Sequence, residues 1–176
     1  MFPNTLETRR LLLRRPVPGD ADLIFRAYAQ DPEVTRYLVW IPHTSVETTR
    51  NFISDCENRW ENLLAFPYII TRKDDNELLG MIEIRPNRHR ADFGFVLARA
   101  HWANGVMPEA ISALIEITLA QPLIYRMEAT CDLDNKASAR ALEKAGLSRE
   151  GLLRRYIVHP NISSEPRDSL LYAITK

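Results

Sequence analysis

A single glycine lies directly before a helical pattern in the stretch WANGVMPEAISALIEITLA, residues 102–120. The chain has only six glycines, and Gly105 stands where a loop leads into a helix expected from about Pro108 to Leu119. A helix N-terminus offers N–H groups without intrahelical partners and a partial positive charge, which together suit a phosphate. Glycine lets the backbone approach a bulky anion, and proline suits the first helical position. A ligand-free glycine turn fits the same spacing, so the turn alone leaves both interpretations open.

A second group of polar residues lies in CDLDNKASARALEKAGL, residues 131–147. Asn135 stands at a strand-to-helix junction, where an N-cap is the structural interpretation. Ser138 follows in the first helical turn, so both side chains can point toward the strand ends. Basic residues recur every fourth position along one helical face, at Lys136, Arg140 and Lys144. Such a stripe is solvated or, beside a phosphate-binding turn, holds a second phosphate.

Hydrophobic periodicity predicts the elements that position these two segments. The expected strands are 11–13, 66–73, 77–86, 91–98, 125–132, 152–160 and 168–175, with a hairpin turn at 74–76. The expected helices are about 20–30, one that follows the cap Ser45, about 108–119, and 135–146. The strand–turn–helix–strand order in the middle is a βαβ unit, which predicts a parallel strand pair in an otherwise antiparallel sheet. The chain is therefore expected to be a single α/β (α+β) domain over 1–176.

The composition of the chain argues against several classes of binding partner. The net charge is +0, which argues against a nucleic-acid module, and no apolar run reaches the roughly 18 residues of a membrane span. The first residues carry charges where a signal peptide has its apolar region, so a cytoplasmic protein is expected. Cys56 and Cys131 are isolated and the four histidines are scattered, so no metal site is expected.

Taken together, the two segments resemble the GNAT N-acetyltransferase superfamily, and within it the RimJ/RimL-like branch that acetylates N-termini of ribosomal proteins. The resemblance covers nearly the whole chain, from LETRRLLLRRPVPGDA through DPEVTRYL and EKAGLSREGLLRRY to EPRDSLLYAI. It implies the GNAT fold, here a mixed, mostly antiparallel sheet of about seven strands flanked by about four helices. It also implies acetyl-CoA as co-substrate, with no metal.

The family binds acetyl-CoA at a turn of pattern Q/R-x-x-G-x-G/A, often written W-G-x-G-x-A-T-E-A. By this resemblance, a diphosphate lies on the turn formed by Trp102, Ala103, Asn104, Gly105, Val106, Met107 and Pro108. Ala103 replaces a common glycine, Asn104 a basic residue or glutamine, and Met107 a small residue. Backbone contacts survive these changes, whereas a charge-assisted side-chain contact is lost. Asn135, Lys136, Ser138 and Arg140 complete the candidate cofactor-binding residues.

The resemblance also implies that the strand DFGFVLA splays from the strand RMEATCD, and that Phe95, Val96 and Leu97 hydrogen-bond the pantetheine arm. The amine then attacks the thioester directly. Asp92 is the first choice for a base and Glu83 the second, on neighbouring strands. The alternatives are a solvated carboxylate at a strand start for Asp92 and an outward-facing strand residue for Glu83.

Ser138 matches the family serine proposed to protonate the leaving thiolate, and Tyr156 is the alternative donor. The loop RYLVWIPHT places Tyr37, Trp40 and His43 where relatives border the acceptor, although packing against the sheet explains an aromatic loop equally well. Neither cysteine has a paired histidine, so neither is expected to be a nucleophile.

The nature of the amine sets how strong a base is needed. A lysine amine has a pKa of about 10.4 and is protonated at neutral pH, whereas an α-amino group near 8 is partly free. The resemblance implies a protein N-terminus as the favoured acceptor, and such an amine needs only a modest base, acting directly or through water. A polyamine, amino acid or antibiotic as acceptor, and a non-catalytic acyl-CoA sensor, remain open. The sequence also leaves open the acyl group and the choice between monomer and homodimer.

Overall fold

The computed structural model describes residues 2–176, which form an eight-stranded sheet in the order β1-β2-β3-β4-β5-β6-β8-β7. The strands are β1 (Thr5–Glu7), β2 (Leu11–Arg14), β3 (Phe66–Arg72), β4 (Leu78–Asn87), β5 (Arg90–Leu97), β6 (Arg126–Asp132), β7 (Ser148–Ile157) and β8 (Arg167–Thr175). The α-helices are α1 (Asp20–Ile24), α2 (Pro32–Thr35), α3 (Val46–Glu61), α4 (Val106–Leu119) and α5 (Lys136–Lys144). Only β5 and β6 pair in parallel. The predicted mixed fold is confirmed, with eight strands instead of about seven because the short β1 carries no clear pattern.

The sheet is covered on both faces. The α4 face, which carries α4 and α5, buries the larger apolar cluster, with Leu114 and Leu142 packed near Ile82 of β4. The α3 face, which carries α1 and α3, buries the smaller cluster around Ile24 and Ile53. Side chains of one strand alternate between the two faces, so the same strands support both layers.

The first predicted helix, about 20–30, is interrupted. The α-helical part ends at Ile24, and a π-helical turn continues over Phe25–Ala29. Pro32, just beyond that predicted helix, begins α2, because the Asp31 side chain accepts the Glu33 N–H at 2.9 Å. Aspartate is a favoured N-cap, and proline at the first helical position loses no intrahelical bond.

Helix α4 begins two residues earlier than expected. Gly105 is its N-cap and Val106 its first residue, so Pro108 occupies the third helical position and not the first. This placement is still compatible with proline, since the first four N–H groups of a helix have no intrahelical acceptor. Ser45 caps α3 as predicted, by accepting the Thr48 N–H.

Candidate active site

A gap opens between the two parallel strands of the sheet. β5 and β6 pair over only three residue pairs, from Arg90–Arg126 to Asp92–Glu128, although both strands continue for several residues. The remainder of β5 is therefore paired with β4 alone. Backbone groups on its free side have no strand partner, which matches the splay that the resemblance implied.

The pairing register decides which backbone groups face the gap. The Ala98 N–H donates to the Leu79 oxygen at 2.8 Å, and N–H groups alternate sides along an antiparallel strand. Phe95 and Leu97 therefore direct their N–H groups toward the gap, whereas Val96 directs its own toward β4. The carbonyl oxygen of Val96 lies 2.3 Å from the point where a Cβ on Gly80 would stand, which places it on the β4 side too. The prediction that Val96 offers backbone contacts is therefore corrected, and Phe95 and Leu97 remain.

The glycine turn has the backbone of an anion site. Gly105 has φ of +72° in the left-handed region, and Ala103 has φ of +62°. Val106 and Met107 follow as the first helical residues, so their N–H groups have no acceptor within α4. The Trp102 indole donates to the Leu97 oxygen at 2.8 Å and fastens the turn to the end of β5. Such a turn, with free N–H groups at a helix N-terminus, suits a diphosphate.

One residue at this turn was not found by sequence reasoning. Arg10, in the connection from β1 to β2, donates to the Asn104 oxygen at 3.1 Å and forms an ion pair with Glu109 of α4 at 2.7 Å. More than ninety residues separate Arg10 from both partners. No local pattern could therefore have indicated the contact.

The start of α5 lies at the end of β6. Asn135 accepts the Ser138 N–H at 3.1 Å, so its structural role as N-cap is realised. Burial raises the pKa of the Cys131 thiol to about 11, against an opposing hydrogen bond from the Ser138 side chain. The Ser138 hydroxyl therefore lies beside Cys131 of β6, one of the two strands that border the gap.

The basic stripe on α5 is exposed. The Lys136 ammonium donates to the Leu133 oxygen at 2.9 Å, which occupies one of its three donors. Within residues 2–176, Arg140 and Lys144 are in no ion pair. Both cations are accessible at the helix that borders the open side of β6.

The two candidate bases lie on neighbouring strands of the α3 face, as predicted. Arg85 bridges them, with Nη1 2.8 Å from Glu83 and Nε 2.6 Å from Asp92. Glu83 accepts a second, short hydrogen bond from Arg59 of α3. Asp92 in turn lies opposite Glu128 at the last paired position before the gap. Asp92 thus lies at the point where β5 and β6 part, Glu83 lies one strand away, and each is ion-paired with arginine.

The three residues that the resemblance placed beside the acceptor have different surroundings in the structure. Trp40 packs against the smaller core and lies 5.1 Å from the His43 ring, centroid to centroid. His43 Nδ1 forms a hydrogen bond with the Thr49 hydroxyl at 2.8 Å, and burial lowers the pKa of His43. Both residues therefore pack within the fold, and their place beside the acceptor stays a prediction. Tyr37 instead turns its ring edge to His159, at a centroid distance of 6.4 Å.

The loop between β7 and β8 is hydrogen-bonded to the segment that carries Tyr37 and Trp40. The Asn161 amide donates to the oxygens of Thr35 and Trp40 at 2.7 and 2.8 Å. His159 is buried, its Nε2 lies 3.6 Å from Asp132, and neither ring nitrogen has a hydrogen-bond partner within residues 2–176. Sequence reasoning singled out neither residue: His159 fell within the expected strand 152–160, but β7 ends at Ile157 and both residues lie in the loop that follows.

Tyr156, the alternative proton donor, lies at the edge of the sheet. It lies on β7, the edge strand, and β8 separates that strand from β6. Its side chain is more than half exposed. Within residues 2–176, no cluster of metal-binding side chains occurs, and no helix has the length and apolarity to span a bilayer.

Comparison with known proteins decides the family. The model of the acetyltransferase (GNAT) domain matches residues 10–148, which is most of the chain. The chain belongs to the GNAT acetyltransferase family. It is 34% identical to the uncharacterised N-acetyltransferase YoaA of Bacillus subtilis (strain 168), over 100% of this chain and 98% of YoaA.

Solved GNAT structures share the fold. An acetyltransferase of the GNAT family from Bacillus anthracis is 28% identical, with a TM-score of 0.83 over 97% of this chain and 98% of that one. RimL, a ribosomal L7/L12 alpha-N-protein acetyltransferase solved with coenzyme A, has a TM-score of 0.85 at 20% identity, over 97% of each chain. This GNAT chain is an acyltransferase.

Proposed function

We propose that the chain transfers an acetyl group from acetyl-CoA to the α-amino group of a protein or peptide. Acetyl-CoA supplies an activated acyl thioester when bound. The observation that carries the proposal is the early end of β5–β6 pairing beside the left-handed turn at Gly105. Together they provide a channel for the pantetheine arm and N–H donors for the diphosphate at its mouth.

Phe95 and Leu97 offer backbone donors along this channel. A donor directed at the thioester oxygen stabilises the negative charge that develops there as the amine attacks. Asp92 stands where the channel closes, and receives a proton from the amine directly or through one water. Ser138, at the start of α5, donates its proton to the leaving sulfur and regains one from solvent, to which Asp92 releases the proton of the amine.

The charges around the gap support an α-amino acceptor over a polycation. Glu83, Asp92 and Glu128 are each paired with at least one arginine, so these three carboxylates leave no uncompensated charge beside the gap to attract a polyamine or aminoglycoside. An α-amino group with a pKa near 8 is partly neutral at physiological pH and needs only a weak base. The RimL neighbour, by its description, also acts on an α-amino group.

Peptide acetylation tests this proposal. Peptides beginning with Ala or Ser are incubated with acetyl-CoA, beside the same sequences with a blocked N-terminus and an internal lysine. The expected result is one acetyl group on each free N-terminus and none on the blocked peptides. Acetylation of the lysine peptides alone would contradict the α-amino assignment.

A further inference from the structure

The connection between β1 and β2 is bound to the first turn of α4 by three hydrogen bonds to one carboxylate. The Thr8 hydroxyl and the Arg10 N–H donate to Glu109 Oε1 at 2.5 and 2.9 Å, and Arg10 Nε donates to Oε2 at 2.7 Å. The carboxylate of Glu109 therefore fixes both the backbone and the guanidinium of Arg10. This guanidinium has little freedom to move relative to α4.

The same guanidinium holds the peptide that precedes Gly105. Arg10 Nη1 donates to the carbonyl oxygen of Asn104 at 3.1 Å. In a trans peptide the carbonyl and the following N–H point in opposite directions. A carbonyl held toward Arg10 therefore turns the N–H of Gly105 away from Arg10, to the other side of the turn.

Arg10 also offsets a charge that would work against a bound anion. Glu109 lies in the first turn of α4, where a carboxylate competes with a diphosphate for the same partial positive charge. Burial opposes ionisation of Glu109, but hydrogen bonds from Thr8 and Arg10 hold its pKa below the ordinary value. Glu109 is therefore an anion at neutral pH, and Arg10 is its counter-ion.

We propose that Arg10 is a positioning residue for acetyl-CoA: anchored by Glu109, it orients the Asn104–Gly105 peptide so that the turn presents its N–H groups to the diphosphate. This inference rests on the proposed use of acetyl-CoA. It assigns a role in cofactor binding to a residue outside the turn motif itself. The role is indirect, because the guanidinium faces the carbonyl side of the peptide.

The test compares two acetyl donors in Arg10→Met. Acetyl-CoA carries the diphosphate, whereas S-acetylpantetheine ends before it. With acetyl-CoA, kcat/KM should fall about tenfold through a higher KM, since a misoriented donor weakens a charge-assisted hydrogen bond. With S-acetylpantetheine, kcat/KM should stay unchanged. The Kd of coenzyme A, measured by calorimetry without turnover, should rise by the same factor as the KM.

Two further variants complete the design. Arg10→Lys keeps the charge but loses the fork that reaches Glu109 and Asn104 at once, so it should weaken coenzyme binding nearly as much. Lys73→Met removes an ion pair to Glu7 and a bond to the Thr8 oxygen in the same hairpin, without touching the turn, and should leave Kd unchanged.

An equal loss with both donors, or an unchanged Kd in Arg10→Met, would overturn the inference. A melting temperature lowered equally in Arg10→Met and Lys73→Met, with Kd raised only in the former, would support it. A wild-type chain that binds no coenzyme A would instead overturn the proposed function, and this inference with it.

Discussion

Glu83 on β4 and Asp92 on β5 share one cation, the guanidinium of Arg85, yet only Asp92 keeps an open oxygen. Both oxygens of Glu83 accept hydrogen bonds, one from Arg85 and one from Arg59. Asp92 binds Arg85 through Oδ1 alone, and its Oδ2 has no hydrogen bond within residues 2–176. The Asp92 side chain is also 46% exposed, against 14% for Glu83. Asp92 is therefore the carboxylate that water or an amine can reach.

Asp92→Asn is expected to lower kcat for a peptide amine about 100-fold near pH 7, the low end for a lost general base. The deficit should shrink as the pH rises toward the pKa of the α-amino group, because the amine then loses its proton unaided. Glu83→Gln, whose carboxylate serves the ion pairs, should cost less. Steady-state thiol release against pH checks this, and a larger loss in Glu83→Gln than in Asp92→Asn would reverse the assignment.

Ser138→Ala is expected to lower kcat about 100-fold, the low end for a lost general acid, while the free energy of unfolding stays nearly constant. The N-cap bond uses the Ser138 backbone N–H and survives the substitution, so α5 should keep its start. Ser112→Ala is the matched control, since that exposed hydroxyl bonds only the Pro108 oxygen within α4. Identical kcat values for the two variants would remove Ser138 from the chemistry.

Ala103→Gly is expected to stabilise the protein by about 0.5–1 kcal/mol, because Ala103 has a positive φ that costs about 1–2 kcal/mol for a residue with a Cβ. Ala137→Gly, in the first turn of α5, should destabilise by a similar amount, since its φ suits alanine. Urea denaturation of the two variants distinguishes the signs. A destabilised Ala103→Gly variant would show that the left-handed conformation carries no strain.

His43 is expected to make the fold less stable as the pH falls. Burial lowers its pKa, so the folded chain binds this proton less readily than the unfolded chain, whose imidazole titrates near 6.5. Its contribution is complete above that value and is lost between it and the lower folded pKa. From pH 7 to pH 5, wild type should lose more stability than His43→Gln. His89→Gln, at an exposed turn, should follow the wild-type profile.

Local patterns in the sequence were sufficient to predict many elements and several candidate site residues of this molecule. Asn135 and Ser138 could be placed because a cap and its first-turn partner are three residues apart, and the βαβ order predicted the parallel pair. Arg10 at the cofactor turn and Arg59 beside Glu83 could not, because each reaches its partner across a distant part of the chain. Val96 was misplaced since its orientation depends on the register with β4, which a single strand's pattern does not set.

The proposed acceptor is tested most directly by competition in one reaction. Equal concentrations of an Ala-initiated peptide, an N-blocked lysine peptide, spermidine and an aminoglycoside share a limiting supply of acetyl-CoA, and mass spectrometry identifies what is acetylated. The account predicts that the acetyl group goes to the peptide with the free N-terminus and that Asp92→Asn slows this transfer. Acetylation of spermidine or the aminoglycoside in preference to the peptide would contradict it.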